Sequence, residues 1–189
     1  PHGDIVQRFQ ISEATVSNVI TTWIHVLHEI LFKQLMCSIP SRNKNKTCLP
    51  TCFSTFTNCR IILDCTEMST VTSRSSMETQ RATYSSYKHY NTWKALIGVA
   101  PNGVITFVSN LYPGSTSDKK IVVESDVLNV LKEGDLILAD KGFLLKDILP
   151  PGVHINVPPF LTTPKFTPTQ VQQTESIARA RIHVERAIR

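Results

Sequence analysis

Three carboxylates in this 189-residue chain stand where a charge is costly to keep unless it has a partner. Asp64 closes the short, nearly all-apolar run Arg60-Ile-Ile-Leu63, which reads as a strand buried on both faces. Asp140 closes a second run of the same kind, Asp135-Leu-Ile-Leu-Ala-Asp140, followed at once by Lys141-Gly142. Glu185 lies in Ala180-Arg-Ile-His-Val-Glu-Arg-Ala-Ile188, whose pattern is helical. A carboxylate at such a place is expensive to bury unless it is paired or holds a metal. Two on strand ends and one on a late helix can form an all-oxygen pocket for a hard divalent cation. The competing readings are structural. Asp64 and Asp140 could each cap a turn, and Arg181, one turn before Glu185, is spaced for a helix-surface ion pair with it.

Positioning these acids takes a sheet and a late helix, and the chain supplies both in order. Residues 71–86 are rich in Ser, Thr and Arg without a period, and predict an irregular loop or ribbon beside the site. Ala95-Leu-Ile-Gly-Val-Ala100 and Val104-Ile-Thr-Phe-Val-Ser109 read as strands joined by a hairpin turn at Pro101-Asn102-Gly103. A helix follows Pro113-Gly114-Ser115-Thr-Ser-Asp118, with apolar residues at Ile121, Val122, Val127, Leu128 and Leu131 and a stop at Glu133-Gly134. After the Asp140 strand come a short helical piece at 144–149, a strand over Val153-His-Ile-Asn-Val157, and a last helix over 169–189. The first three strands can pair as an antiparallel meander, with the first central and the Asp140 strand beside it.

Other polar residues have two readings each. Glu67 lies just past its strand and suits an acid that supports the ligands from behind. Asp118 more simply begins its helix, since Ser115-x-x-Asp118 resembles a capping arrangement. Lys88, His89 and Lys94 suit phosphate contacts or a solvated loop equally. Trp93 reads as core, and His183 as either packed or functional.

Ahead of the sheet, residues 4–9 have a short helical pattern, and Gln10-Ile11 makes a break. Ser12 is a good N-cap, Glu13 suits the positive helix start, and Val16, Val19, Ile20, Trp23, Ile24, Leu27, Ile30, Leu31 and Leu35 recur at helical steps. This resembles a helix-turn-helix, in which Ser12, Thr15, Ser17 and Asn18 would lie near the start of the recognition helix. An ordinary helical hairpin fits the pattern equally. Residues 38–56 predict a solvated connector bracketed by Pro40 and Pro50, whose Arg42, Lys44 and Lys46 could meet a nucleic-acid backbone.

Composition narrows the class. A hydrophobic share of 41% over this length supports one good core with a small appendage. No apolar run approaches the roughly 18 residues of a membrane helix, and no signal peptide is visible. The chain opens without Met and is expected to be a fragment. A net charge of +5 leans weakly towards a polyanionic partner. The five cysteines (37, 48, 52, 59 and 65) fit no common pair of zinc hooks, and are expected to be reduced, packed thiols.

The strand order resembles an RNase H-like fold, in which acids sit on the first strand, at the end of the fourth and on a later helix; Asp64, Asp140 and Glu185 occupy those places. The chain as a whole resembles a DDE superfamily transposase of the PIF/Harbinger type. The likeness rests on Ile61-Ile-Leu-Asp-Cys-Thr-Glu67, Tyr84-Ser-Ser-Tyr-Lys-His-Tyr-Asn-Thr92, Gly98-Val-Ala-Pro-Asn-Gly-Val-Ile-Thr-Phe-Val108, Gly114-Ser-Thr-Ser-Asp118, Leu138-Ala-Asp-Lys-Gly-Phe143 and Arg181-Ile-His-Val-Glu-Arg186. Together these motifs are specific, and they span nearly the whole chain. The resemblance implies an α/β chain: an RNase H-like mixed sheet with flanking helices, preceded by an N-terminal helix-turn-helix. It implies a helix-turn-helix over 1–37, a linker over 38–57 and a catalytic domain over 58–189, truncated at its C-terminus. Asp64, Asp140 and Glu185 would be a DDE triad holding two divalent metals, Mg²⁺ or Mn²⁺, to cut and join double-stranded DNA. In that arrangement Asp64 bridges both ions, and Asp140 and Glu185 each complete one. Such a protein is expected in the nucleus, with room for a homo-oligomer and a separate DNA-binding partner protein. The alternative is a domesticated or decayed descendant that binds DNA without cutting it.

Overall fold

The computed structural model describes residues 2–36, 38–72, 76–159 and 167–188, in two compact units that divide between Ser38 and Ile39. The first unit is helical. α1 (His2–Phe9) ends at Gln10, whose φ of 50° makes the break expected there. α2 (Glu13–Leu27) begins where its cap predicts: the Ser12 hydroxyl accepts from the Thr15 amide at 3.0 Å. A π-helical turn (His28–Phe32) and α3 (Lys33–Leu35) extend it. Val16 is buried, whereas Trp23, Ile24, Leu27 and Ile30 on the same stripe are exposed.

The second unit is a mixed sheet with helices on both faces. The stretch expected to be a solvated linker is part of it, and the expectation is corrected here. α4 (Arg42–Lys46) and a 3₁₀ turn (Thr51–Phe53) pack on the sheet, with Asn45 buried and Phe53 and Phe56 in the core. Asn45 Nδ2 donates to the carbonyls of Arg60 and Cys59 at 3.0 and 3.3 Å. Arg42 Nε lies 3.0 Å from Oδ1 of the fully buried Asp135. That guanidinium rests on Gly134, whose φ of +80° and missing Cβ leave it the space. Polar composition suggested solvation, but these polar groups are spent on buried partners.

β1 (Cys59–Ser69) is central, with burial that is complete to Leu63 and then fades. It runs on past Asp64 rather than ending there, paired from Ile62 to Ser69 with the antiparallel strand β3. α5 (Met77–Thr83) and β2 (Tyr84–Ser85) occupy the region expected to be irregular. The helix has no apolar stripe to announce it. Ser76 caps it, and Asn91 Nδ2 holds its end by donating to Gln80 O at 2.7 Å and Thr83 Oγ1 at 2.8 Å. β3 (Tyr90–Val99) and β4 (Ile105–Val108) form the expected hairpin, closed by the Gly103 amide donating to Ala100 O at 2.9 Å. β5 (Tyr112–Pro113) also lines β3.

α6 (Asp118–Glu124) is capped by Ser117, not by Ser115, and breaks at Asp126, whose φ is 59°. A 3₁₀ turn (Val127–Val130) takes the rest of the predicted apolar run. β6 (Leu136–Ala139) and β7 (His154–Asn156) then run parallel to β1, and turns replace the short helix expected between them. α7 (Pro168–Ile188) closes the chain.

The described strands lie in the order β2-β3-β1-β6-β7, with β4 and β5 along the outer edge of β3. Strand alternation divides the core in two. Ile61 and Leu63 face α6 with Leu96, Ile121, Val122 and Ile137; Ile62 faces α7 with Ala95, Ile97, Leu138, Ile177, Ala180 and Val184. Among the described residues no helix is long and apolar enough to cross a membrane.

Candidate functional site

Register is what brings the first two acids together. In the parallel β1–β6 pair Leu63 stands beside Ala139, so the next residues, Asp64 and Asp140, lie side by side where the buried strand segments end. Each carboxylate is fixed in the same way, accepting the amide of the following residue: Cys65 N to Asp64 Oδ1 at 2.9 Å, and Lys141 N to Asp140 Oδ1 at 2.7 Å. α7 supplies the third acid. Ile177, Ala180, Arg181 and Val184 recur at helical spacing on its buried face, and Glu185 follows at the edge of that stripe. Asp64, Asp140 and Glu185 line one cleft of about 660 Å³.

Arg181 lies among them. Instead of the helix-surface pair with Glu185 that the spacing suggested, it turns to the two aspartates. Its Nη1 donates to Asp140 Oδ1 at 3.2 Å, and its Nη2 stands 3.9 Å from Asp64 Oδ2. Burial raises the pKa of Asp64 above the ordinary carboxylate value, and Asp140 and Glu185 add to the rise by repulsion. Arg181 and the Cys65 amide pull it back without cancelling the effect.

A second cluster lines the same cleft at this end of β1. Lys94, opposite Glu67 in the β1–β3 register, lies 3.2 Å from Asp118 Oδ1 and 3.7 Å from Glu67 Oε1, and donates to Thr116 O at 3.1 Å. Thr92 Oγ1 donates to Glu67 Oε2 at 2.9 Å. Glu67 is therefore a nearly buried, fully partnered acid, and Asp118 is tied to it through a shared lysine. Lys94 is held by protein groups rather than offered to a phosphate. Cys65 faces this cluster, and burial with the Asp118 carboxylate beside it pushes its thiol strongly up, keeping it neutral.

Lys88 lines the cleft from an exposed turn, its ammonium 5.0 Å from the centre of the Tyr87 ring. His183 lies away from the acids' side of the cleft, 3.5 Å from Cys52 Sγ and against the Phe53 ring. Burial holds its pKa down, helped by Arg186. Cys59 is buried, its thiol pushed up to about 12, whereas Cys48 is exposed and departs from the packed thiols expected; Cys37 lies outside the described residues. Ser12 is taken up by its capping role and a 2.8 Å bond to the Thr15 hydroxyl. Thr15 and Asn18 are exposed and Ser17 half-buried.

Whether the acids suit a metal can be judged from the donors. Three carboxylates with no sulfur or imidazole among them match a hard divalent ion. Their mutual repulsion at Asp64 is the charge such an ion would relieve. Yet among the described residues no three acidic, His or Cys side chains are grouped closely enough to hold an ion. The donor chemistry fits, while the arrangement seen is one in which Arg181 stands with the acids.

The residue that sequence reasoning undervalued is Arg181. Its signal was a charge inside the apolar 3.6-residue stripe of α7, where a surface ion pair has no reason to lie. A family model described as DDE superfamily endonuclease matches residues 63–189, a span that takes in all three acids. No curated protein and no solved structure matches the chain.

Proposed function

Because the chain belongs to the DDE superfamily endonucleases, we propose that it cuts and joins phosphodiester bonds in double-stranded DNA as a transposase of the PIF/Harbinger type. Asp64, Asp140 and Glu185 are the acids that hold its divalent ions, Mg²⁺ or Mn²⁺, on an RNase H-like sheet. The observation that carries this reading is the meeting of three acids, from distant parts of the sequence, in one cleft. The antiparallel meander with two parallel strands beside it supports the fold.

The ions, when bound, would activate the attacking oxygen and stabilise charge on the leaving one. The chain's residues prepare for that. The Cys65 and Lys141 amides fix one oxygen each of Asp64 and Asp140, which orients the other. Burial of Asp64 strengthens its interaction with any cation that enters, because the local dielectric is low. Tyr87 and Lys88, on the exposed rim, are placed to meet the nucleic-acid backbone.

Duplex binding is assigned to the first unit as a helix-turn-helix, with Thr15, Ser17 and Asn18 near the start of α2, and to the exposed Lys44 and Lys46. Arg42 and Ser12 serve the fold first. Such a protein works where chromosomal DNA is, in the nucleus. A second reading, a descendant that binds DNA without cutting it, is favoured by the arginine that already stands beside Asp64 and Asp140. Nicking of supercoiled DNA in Mn²⁺ separates the two. The native chain should nick and Asp64→Asn should not; a native chain that binds duplex but leaves it intact supports the second reading.

A further inference from the structure

Arg181 sits where packing alone would choose an apolar side chain, within the stripe formed by Ile177, Ala180 and Val184. About a tenth of its side chain is exposed, and its Nε is buried without a hydrogen-bond partner. A buried guanidinium with an unmet donor is a cost that a Met or Leu would avoid. What it gains is the carboxylate pair, at 3.2 Å from Asp140 and 3.9 Å from Asp64. The guanidinium cannot shed its proton, so this is a permanent charge. It competes for the same oxygens that a divalent ion would take, and it repels that ion.

We infer that Arg181 is a resident counter-cation that holds Asp64 and Asp140 in an ion-excluding arrangement, so that a divalent ion binds only as Arg181 withdraws. This rests on the reading of Asp64 and Asp140 as ion ligands. One feature of the molecule agrees with it. No ion-holding group of side chains is assembled among the described residues, although all three acids line the same cleft. A purely structural arginine predicts the reverse, since removing it would loosen the site and weaken ion binding.

Calorimetric titration of the full chain with Mn²⁺ tests this, alongside melting curves with and without the ion. Arg181→Gln removes the charge and keeps hydrogen-bond donors; Arg181→Met removes both; Arg181→Lys keeps the charge. Without metal both neutral variants should melt below the native chain, because Asp64 and Asp140 then face each other uncompensated. Both should bind Mn²⁺ at least about tenfold more tightly, since a competing cation within 4 Å has gone, and show a larger metal-induced rise in Tm. Arg181→Lys should bind Mn²⁺ about as weakly as the native chain. Neutral variants that bind no tighter, or a Lys variant as tight as Gln, overturn the inference. If the neutral variants do not fold, Arg181→Lys still decides, because tenfold tighter binding by it excludes charge as the cause. Asp64→Asn keeps the two claims apart. If it loses Mn²⁺ binding while the Arg181 variants behave as native, the acids are ligands and the inference alone fails; if it binds as native does, the site reading itself has failed.

Discussion

Asp64 carries opposing demands that a single substitution can expose. It is held mainly by burial above the ordinary carboxylate value of 3.8, so the native state binds its proton more tightly than the unfolded chain does. The linkage sign follows: stability from this group is full below the unfolded pKa and is lost as pH rises through the higher native value. At neutral pH the metal-free protein therefore bears the cost of an ionised, crowded Asp64. Asp64→Asn should leave its Tm unchanged or higher at pH 7, and that advantage should shrink as pH falls through the acid range. An Asn variant that melts lower at pH 7 would show Asp64 to be a packing residue. The same variant should lose the metal-induced stabilisation, which for the native chain is about 2.7 kcal/mol with the ion at a hundredfold its Kd. Melting curves across pH, in Mn²⁺ and in chelator, measure both effects.

At the level of elements, polar residues tie the strands and helices around the site. Lys94 joins β1, β3 and the start of α6 by serving Glu67 and Asp118 together. Lys94→Met would strand the nearly buried Glu67, and should cost about 3 kcal/mol in urea unfolding. A loss below about 1 kcal/mol would mean that water reaches the cluster. Asn45 does similar work for α4, whose amide satisfies two carbonyls at the start of β1. Asn45→Ala should cost about 1–3 kcal/mol by the same measurement, because buried acceptors are left unmet. A solvated linker would give almost none of that.

For the whole molecule, the two units carry separate duties under the proposed function. Removing residues 1–38 should abolish duplex binding while the sheet unit still melts cooperatively; unchanged affinity would give the helices another role. Binding by the full chain should weaken steeply with salt, as phosphate contacts release counterions. Lys44→Ala and Lys46→Ala should each flatten that salt dependence by about one unit of slope. Arg42→Ala should instead lower stability, since its charge is spent on Asp135. Fluorescence anisotropy on a labelled duplex across a salt series reads the two lysine variants, and urea unfolding reads the loss at Arg42.

What the sequence determined by itself is what local physics decides. Short apolar runs, Ile61–Leu63 and Leu136–Ala139, gave β1 and β6 and set Asp64 and Asp140 where burial ends. Ser12 capped α2, Gly103 closed the hairpin, and the 3.6-residue stripe of α7 carried Glu185. Each rests on residues a few positions apart, so the pattern and its cause lie within one window. Long-range pairing decided the rest. The Leu63–Ala139 register, which makes neighbours of the two aspartates, joins residues far apart in the chain and leaves no local mark. α5 has no apolar stripe, because Asn91 from another strand holds it. The 39–57 stretch looked solvated because its polar residues are partnered by groups elsewhere in the fold. Arg181 looked like the surface partner of Glu185, four residues on. The packing of α7 against the sheet turned it instead towards two acids whose nearness only the tertiary structure creates.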